Sequence, residues 1–146
     1  MAQVGDVAAY ILEQCGEMTA MKLQKLVYYS KAWHLVWDNA ALFNDRIEAW
    51  ANGPVVRALY AQHRKRMNVA PGDIEGDSSR LTQDERETID AVLGFYGKLK
   101  AFELSDLTHS QRPWLDARGD TPPGAPSSAL ITDQAMYEYY DGLVGA

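Results

Sequence analysis

The stretch from Lys22 to Pro54 constrains the fold more than any other part of the chain. It opens with bulky residues that recur at spacings of three and four, the period of an α-helix with one large buried face. A short loop follows and ends in Glu48, Trp50 and the pair Gly53-Pro54. Without a nucleophile motif, metal cluster or phosphate loop, this stretch favours a scaffold that binds a partner over an enzyme. The predicted helical face carries Leu23, Leu26, Val27, Ser30, Trp33, His34 and Trp37.

The remaining segments predict a mainly α fold, a compact single-domain bundle of about six to seven helices with at most one small β-hairpin. The hairpin is expected between Leu42 and Trp50, with its turn at Asn44-Asp45, because the helical period is lost there. Gly53-Pro54 is expected to open the third helix, since proline is tolerated at a first helical position. Other helix starts are predicted at Thr19, Thr82, Ser105, Pro113 and Thr132.

Length and charge narrow the class of protein. The 146 residues fit one domain, residues 1–146, and no run approaches the roughly 18 apolar residues that span a bilayer. Cys15 is the only cysteine, which fits a reducing cytoplasm, and its register in the first helix predicts a small core residue. The net charge of −6 is evidence against binding nucleic acid directly and suits a basic protein partner.

Candidate catalytic and metal-binding residues are sparse. His34, His63 and His109 lie far apart and lack the spacing of a metal site, so no metal or other cofactor is expected. The enzymatic alternative is a small hydrolase or transferase that uses His109 with Asp116 or Glu48. For both acids an ion pair or a backbone hydrogen bond is the favoured interpretation.

Two places are the best candidates for a partner-binding surface. The first lies around Glu48 and Trp50, where the loop is expected to expose side chains that a helix would hide. The second is the corner formed by His109, Trp114 and Arg118, where polar groups cluster beside a large indole. Four tryptophans and eight tyrosines exceed the needs of one small core, and such residues often anchor interfaces.

Three segments carry a resemblance to a known family. These are LQKLVYYSKAWHL, IEAWANGPVV and LTHSQRPWLDAR, in this order along the chain. From about Val4 to Val144 the sequence resembles the Panacea, or SocA-like, domain of bacterial and phage antitoxins.

The resemblance implies a cytoplasmic, non-enzymatic antitoxin whose partner is a cognate toxin. Such a protein neutralises the toxin by direct binding, or acts as an adaptor that delivers the toxin to a cellular protease. The family context includes phage-borne systems, and neither nucleic acid nor a membrane is an expected partner. The residues expected to bind the partner are Glu48, Trp50, Gly53, Pro54, His109, Trp114 and Arg118.

Overall fold

The computed structural model describes residues 2–144, which form seven α-helices, five short strands and a 3₁₀ helix at Ser78–Arg80. This confirms the prediction of a mainly helical bundle with a small hairpin. The helices are α1 (Val4–Cys15), α2 (Ala20–Asp38), α3 (Arg57–His63), α4 (Gln83–Tyr96), α5 (Ala101–His109), α6 (Arg112–Arg118) and α7 (Asp133–Val144). The strands are β1 (Met18–Thr19), β2 (Ile47–Trp50), β3 (Gly53–Val56), β4 (Asn68–Val69) and β5 (Leu130–Ile131).

Helix α2 is the centre of the molecule. It begins where predicted, because the Thr19 side chain accepts a hydrogen bond from the Lys22 backbone N–H at 3.1 Å. It ends at Asn39, whose left-handed backbone (φ 52°) stops the helix. Helices α1, α4, α5 and α7 and strand β3 all contact α2, so most of its circumference is buried. A helix enclosed in this way buries polar side chains as well as apolar ones.

A tyrosine cluster joins α2 to the C-terminal helices. The ring of Tyr29 stacks on Tyr96 with centroids 4.0 Å apart, and it meets Tyr140 edge-on at 5.9 Å. The Gln111 side-chain oxygen accepts hydrogen bonds from both Tyr29 (2.8 Å) and Tyr140 (2.7 Å). The Tyr28 and Tyr140 hydroxyls lie 3.0 Å apart. The cluster therefore satisfies its polar atoms internally while filling the core.

The hairpin lies later in the chain than predicted. Strands β2 and β3 pair Ile47 with Val56 and Trp50 with Gly53, which places the turn at Ala51-Asn52. The predicted turn at Asn44-Asp45 is wrong. The Asp45 carboxylate instead accepts a hydrogen bond from the Val4 backbone N–H at 3.3 Å, which ties this segment to the start of α1.

The prediction that Gly53-Pro54 opens the third helix is also wrong, because α3 begins at Arg57. Gly53 has a φ of 126°, a conformation that a helix cannot contain. Pro54 pairs with Ala49 in β3, at the edge of the order β3-β2-β5, and an edge strand tolerates proline. Strand β5 and the β1–β4 pair were not predicted, since two-residue strands show no period.

Three further expectations need correction. Ser105 does not cap a helix but lies inside α5, which begins earlier because the Glu103 carboxylate accepts from the Lys100 backbone N–H. Cys15 is exposed rather than in the core, since it occupies the last turn of α1. On the predicted buried face of α2, Trp33 is only half-buried and Trp37 is 48% exposed. The Trp33 indole N–H donates to the Tyr96 hydroxyl at 2.9 Å. The helix starts predicted at Thr82 and Pro113 are confirmed.

Candidate functional site

A groove of about 1000 Å³ opens between the start of α2, the β2–β3 hairpin and α3, and we call it the hairpin groove. Its charged lining is of one sign: Lys25, Arg57, Arg64 and Arg66 line it, and no aspartate or glutamate of residues 2–144 does. This local charge is opposite to the net charge of −6. The apolar and aromatic part of the lining includes Met21, Trp50, Val55, Tyr60, Met67 and Ala101.

Lys25 is the most unusual residue of the groove, because it is only 1% exposed. Burial lowers the pKa of its ammonium group from 10.5 to about 8. Gly53 makes room for it: a Cβ at that position would lie 2.4 Å from the Lys25 Cε and 3.0 Å from its Nζ. The lysine therefore depends on the glycine at the start of β3.

We expect Lys25→Met to stabilise the fold at pH 7 by about 1–3 kcal/mol, because it removes a buried charge and keeps the side-chain volume. The unfolded chain keeps the lysine proton up to about pH 10.5, whereas the folded protein releases it near pH 8. As pH rises between these two values, the cost of burying the lysine charge therefore decreases and the wild-type protein becomes more stable. The stability advantage of Lys25→Met decreases by the same amount. Urea unfolding of both proteins at pH 7 and pH 10 measures the difference, and a constant difference would contradict the shifted pKa.

Gln24 holds the groove wall in place. Its side-chain oxygen accepts from the Val56 backbone N–H at 2.9 Å, and its amide nitrogen donates to the Val56 carbonyl at 3.3 Å. The same nitrogen lies 2.9 Å from the His63 Nε2. Burial lowers the pKa of His63, which favours a neutral ring that can accept this hydrogen bond. One glutamine thus joins α2, the edge of β3 and the end of α3.

Glu48 is buried, at 3% exposure, so the expectation that the loop exposes it is wrong. Its carboxylate accepts from the Trp50 indole N–H (2.8 Å) and from two nitrogens of Arg57 (2.8 and 3.1 Å). The Arg57 hydrogen bond is the largest cause that holds the pKa of Glu48 below its usual range. The Arg46 Nε lies 3.3 Å from the Glu48 Oε2. Glu48 therefore positions Trp50 and Arg57, in agreement with the ion pair favoured from the sequence.

The aromatic ring of Trp50 is held from three sides. Glu48 binds its N–H, Tyr60 packs edge-on against it with centroids 4.8 Å apart, and the Arg57 guanidinium lies 5.5 Å from the ring centroid. The ring is half-buried and lines the hairpin groove. Trp50 thus presents a large apolar surface in a fixed orientation.

The second predicted surface joins the first through the backbone of β2. The Trp114 indole N–H donates to the Trp50 carbonyl at 2.8 Å, and Arg118 donates to the Ala49 carbonyl at 3.0 Å. The His109 ring stacks on Trp114 at 4.2 Å. Trp114 and Arg118 are buried, so this corner fixes α6 against the hairpin. Of the seven residues expected to bind a partner, only Trp50 and His109 are partly exposed. The other five are buried: Glu48, Gly53, Pro54, Trp114 and Arg118.

The contacts do not assemble the catalytic groups of the enzymatic alternative. Asp116 is paired with Arg112, Glu48 is occupied as described above, and the His109 Nε2 has no hydrogen-bond partner within residues 2–144. Burial, followed by the nearby charge of Lys25, lowers the pKa of His109.

In the described part of the chain no group of three or more histidine, cysteine or acidic residues is arranged to hold a metal ion. In the same part, no helix has the length and apolar character needed to cross a membrane.

The residues that the sequence analysis missed are Gln24 and Lys25. Both follow Leu23 on α2, and no role was predicted for either of them from the sequence. The available signal was the density of aromatic and apolar residues around the whole helix, which leaves little of it for solvent.

The fold is that of a small, mainly helical domain. Its hairpin groove, in which the charged lining residues are all basic, is suited to binding a partner. A family model described as "Antitoxin SocA-like, Panacea domain" matches residues 23–115. This is more than half of the chain, and the protein belongs to this antitoxin-like family. The matched residues include every expected partner-binding position except Arg118. Comparison with curated proteins and with solved structures found no match.

Proposed function

We propose that this protein is the antitoxin of a toxin–antitoxin system and that it neutralises its cognate toxin by direct binding in the cytoplasm. Membership of the antitoxin-like family supports the class of function. The proposed binding surface rests on one observation, the fixed orientation of Trp50 at the wall of the hairpin groove. Its aromatic ring is held there by Glu48, Tyr60 and Arg57. A side chain that is already ordered loses little entropy on binding, so it can anchor an interface.

The binding domain is proposed to extend over residues 1–146, beyond the family match. Helix α7 follows the matched residues, yet its Tyr140 is fully buried and bonded to Gln111. Helix α1 precedes them and contributes Ile11 and Leu12 to the same core. Removing either helix would expose this core.

Co-expression tests the proposal. The product of the neighbouring gene, expressed alone, is expected to stop growth, and this protein is expected to restore it and to co-purify with the toxic product. Trp50→Ala should abolish the rescue, whereas Trp37→Ala should retain it, because Trp37 is 48% exposed but lies outside the groove. Met67→Glu should also impair the rescue. Met67 is 82% exposed, so the substitution places a charge in the groove without affecting the core.

The two mechanisms give different results in cells that lack the relevant protease. Direct blocking predicts rescue with an unchanged toxin level in both kinds of cell. Delivery by an adaptor predicts rescue together with toxin depletion only where the protease is present. Full rescue by folded Trp50→Ala and Met67→Glu proteins would place the interface elsewhere, and a harmless neighbour would argue against an antitoxin.

A further inference from the structure

Lys25 is a buried cation that forms no ion pair with any residue of the described range 2–144. The other buried lysine of α2, Lys31, forms an ion pair with Asp133 at 3.1 Å and lies 4.9 Å from the Phe43 ring centroid. Lys25 has no such ion pair within residues 2–144, and its side chain lines the hairpin groove. An uncompensated buried charge is costly, and such groups concentrate at functional sites.

We propose that the hairpin groove binds an acidic, apolar segment of the toxin, and that a carboxylate of this segment pairs with Lys25. The inference rests on the proposed function and names the chemistry of the partner. It reverses the expectation from net charge: although the whole protein is acidic, the surface that would meet the partner is basic. Complementary charge at the site of contact, not the total, decides which partner is favoured.

The distribution of cations favours an internal segment with several acids over one chain terminus. Arg64 is exposed at the groove and forms no ion pair with a described residue. The side chains of Arg57 and Arg66 are 58% and 52% exposed, so each guanidinium can donate to a further carboxylate beside its present partner. A single terminal carboxylate would satisfy Lys25 alone.

The apolar part of the groove explains why the segment should alternate acidic and apolar residues. Met21, Val55 and Met67 all line the groove, and the two methionines are 40% and 82% exposed. Methionine side chains adapt to apolar partners of different shapes. Single-stranded RNA could place its phosphates beside the cations, but it offers no aliphatic side chains to cover Met21, Val55 and Met67, so an acidic, apolar peptide fits this lining better.

Fluorescence anisotropy with a labelled hexapeptide of alternating leucine and glutamate, blocked at both ends, tests the inference. We expect Lys25→Met to weaken binding about tenfold or more, the value of a charge-assisted hydrogen bond. Arg64→Gln should weaken binding a few-fold, and the adjacent Lys65→Gln should leave it unchanged, because Lys65 does not line the groove. Arg64→Gln keeps the test valid if Lys25→Met fails to fold.

Matched probes separate the alternatives. The same peptide with glutamine in place of glutamate should bind much more weakly. If an unblocked glutamine peptide binds as tightly as the glutamate peptide, the site recognises a chain terminus and the inference is overturned. Tighter binding of poly-uridylate than of the glutamate peptide, or equal binding by wild type and Lys25→Met, would also overturn it.

The peptide assay contains no toxin, so its outcome is independent of the proposed function. Rescue by Lys25→Met equal to wild type, with rescue lost in Trp50→Ala, would leave the antitoxin role intact and remove the role of Lys25. If peptide binding requires Lys25 but the product of the neighbouring gene is not toxic, the groove binds acidic segments and its partner is not a toxin.

Discussion

Replacing Arg118 with alanine is expected to lower the free energy of unfolding by about 3–5 kcal/mol. Arg118 is 5% exposed, and its guanidinium donates to the carbonyls of Ala49 (3.0 Å), Pro122 (3.0 Å) and Ala125 (2.7 Å). Alanine would leave these acceptors without a donor and remove the cation 4.8 Å from the Trp114 ring centroid. The loss should detach the proline-rich loop from β2.

Urea unfolding followed by circular dichroism measures this loss. Arg112→Ala is the matched control, since Arg112 lies at the other end of the same helix and its ion pair with Asp116 is exposed. Exposed pairs of this kind contribute about 0–1 kcal/mol. If the two variants lose equal stability, Arg118 does not act as the link that its contacts indicate.

Replacing Tyr29 with alanine is expected to cost about 3–5 kcal/mol, the usual cost of deleting a large core aromatic. The ring is fully buried, stacked on Tyr96 and bonded to Gln111. Tyr29→Phe should cost only about 1 kcal/mol, because it keeps the packing and Gln111 retains its hydrogen bond from Tyr140. The difference separates the contribution of packing from that of the hydroxyl group.

Thermal and urea unfolding give these two values. Tyr137→Ala serves as the control, because Tyr137 is 36% exposed on α7 and its removal should change stability by less than about 0.5 kcal/mol. A Tyr29→Phe protein as unstable as Tyr29→Ala would mean that the hydrogen bond to Gln111, and not the packing of the ring, holds this part of the core together.

The local signals in the sequence were sufficient for most of the helices. Thr19 and Thr82 accept the hydrogen bonds expected of helix caps, and α1 and α2 end at Gly16 and Asn39, whose residue types are typical of helix ends. These signals depend on atoms within three or four residues, so no knowledge of distant contacts is needed. The family resemblance was also readable from short motifs, and the family match confirms it.

The hairpin was misplaced because its stabilising contacts are distant in sequence. Val56 bonds to Gln24, 32 residues earlier, and Ile47 pairs with Ile131, which no local pattern reveals. Gly53-Pro54 has the local chemistry of a helix start, yet the packing of Lys25 against Gly53 and the pairing of Pro54 with Ala49 place both residues in a strand.

The sequence by itself determined the class of fold, the caps of the main helices and the family, because each is encoded in the order and spacing of nearby residues. Only the tertiary structure decided that Glu48 and Lys25 are buried and that the corner of Trp114 and Arg118 supports the hairpin. The physical reason is that burial and charge pairing depend on what surrounds a side chain. For α2, those surroundings are helices and strands contributed by the rest of the chain.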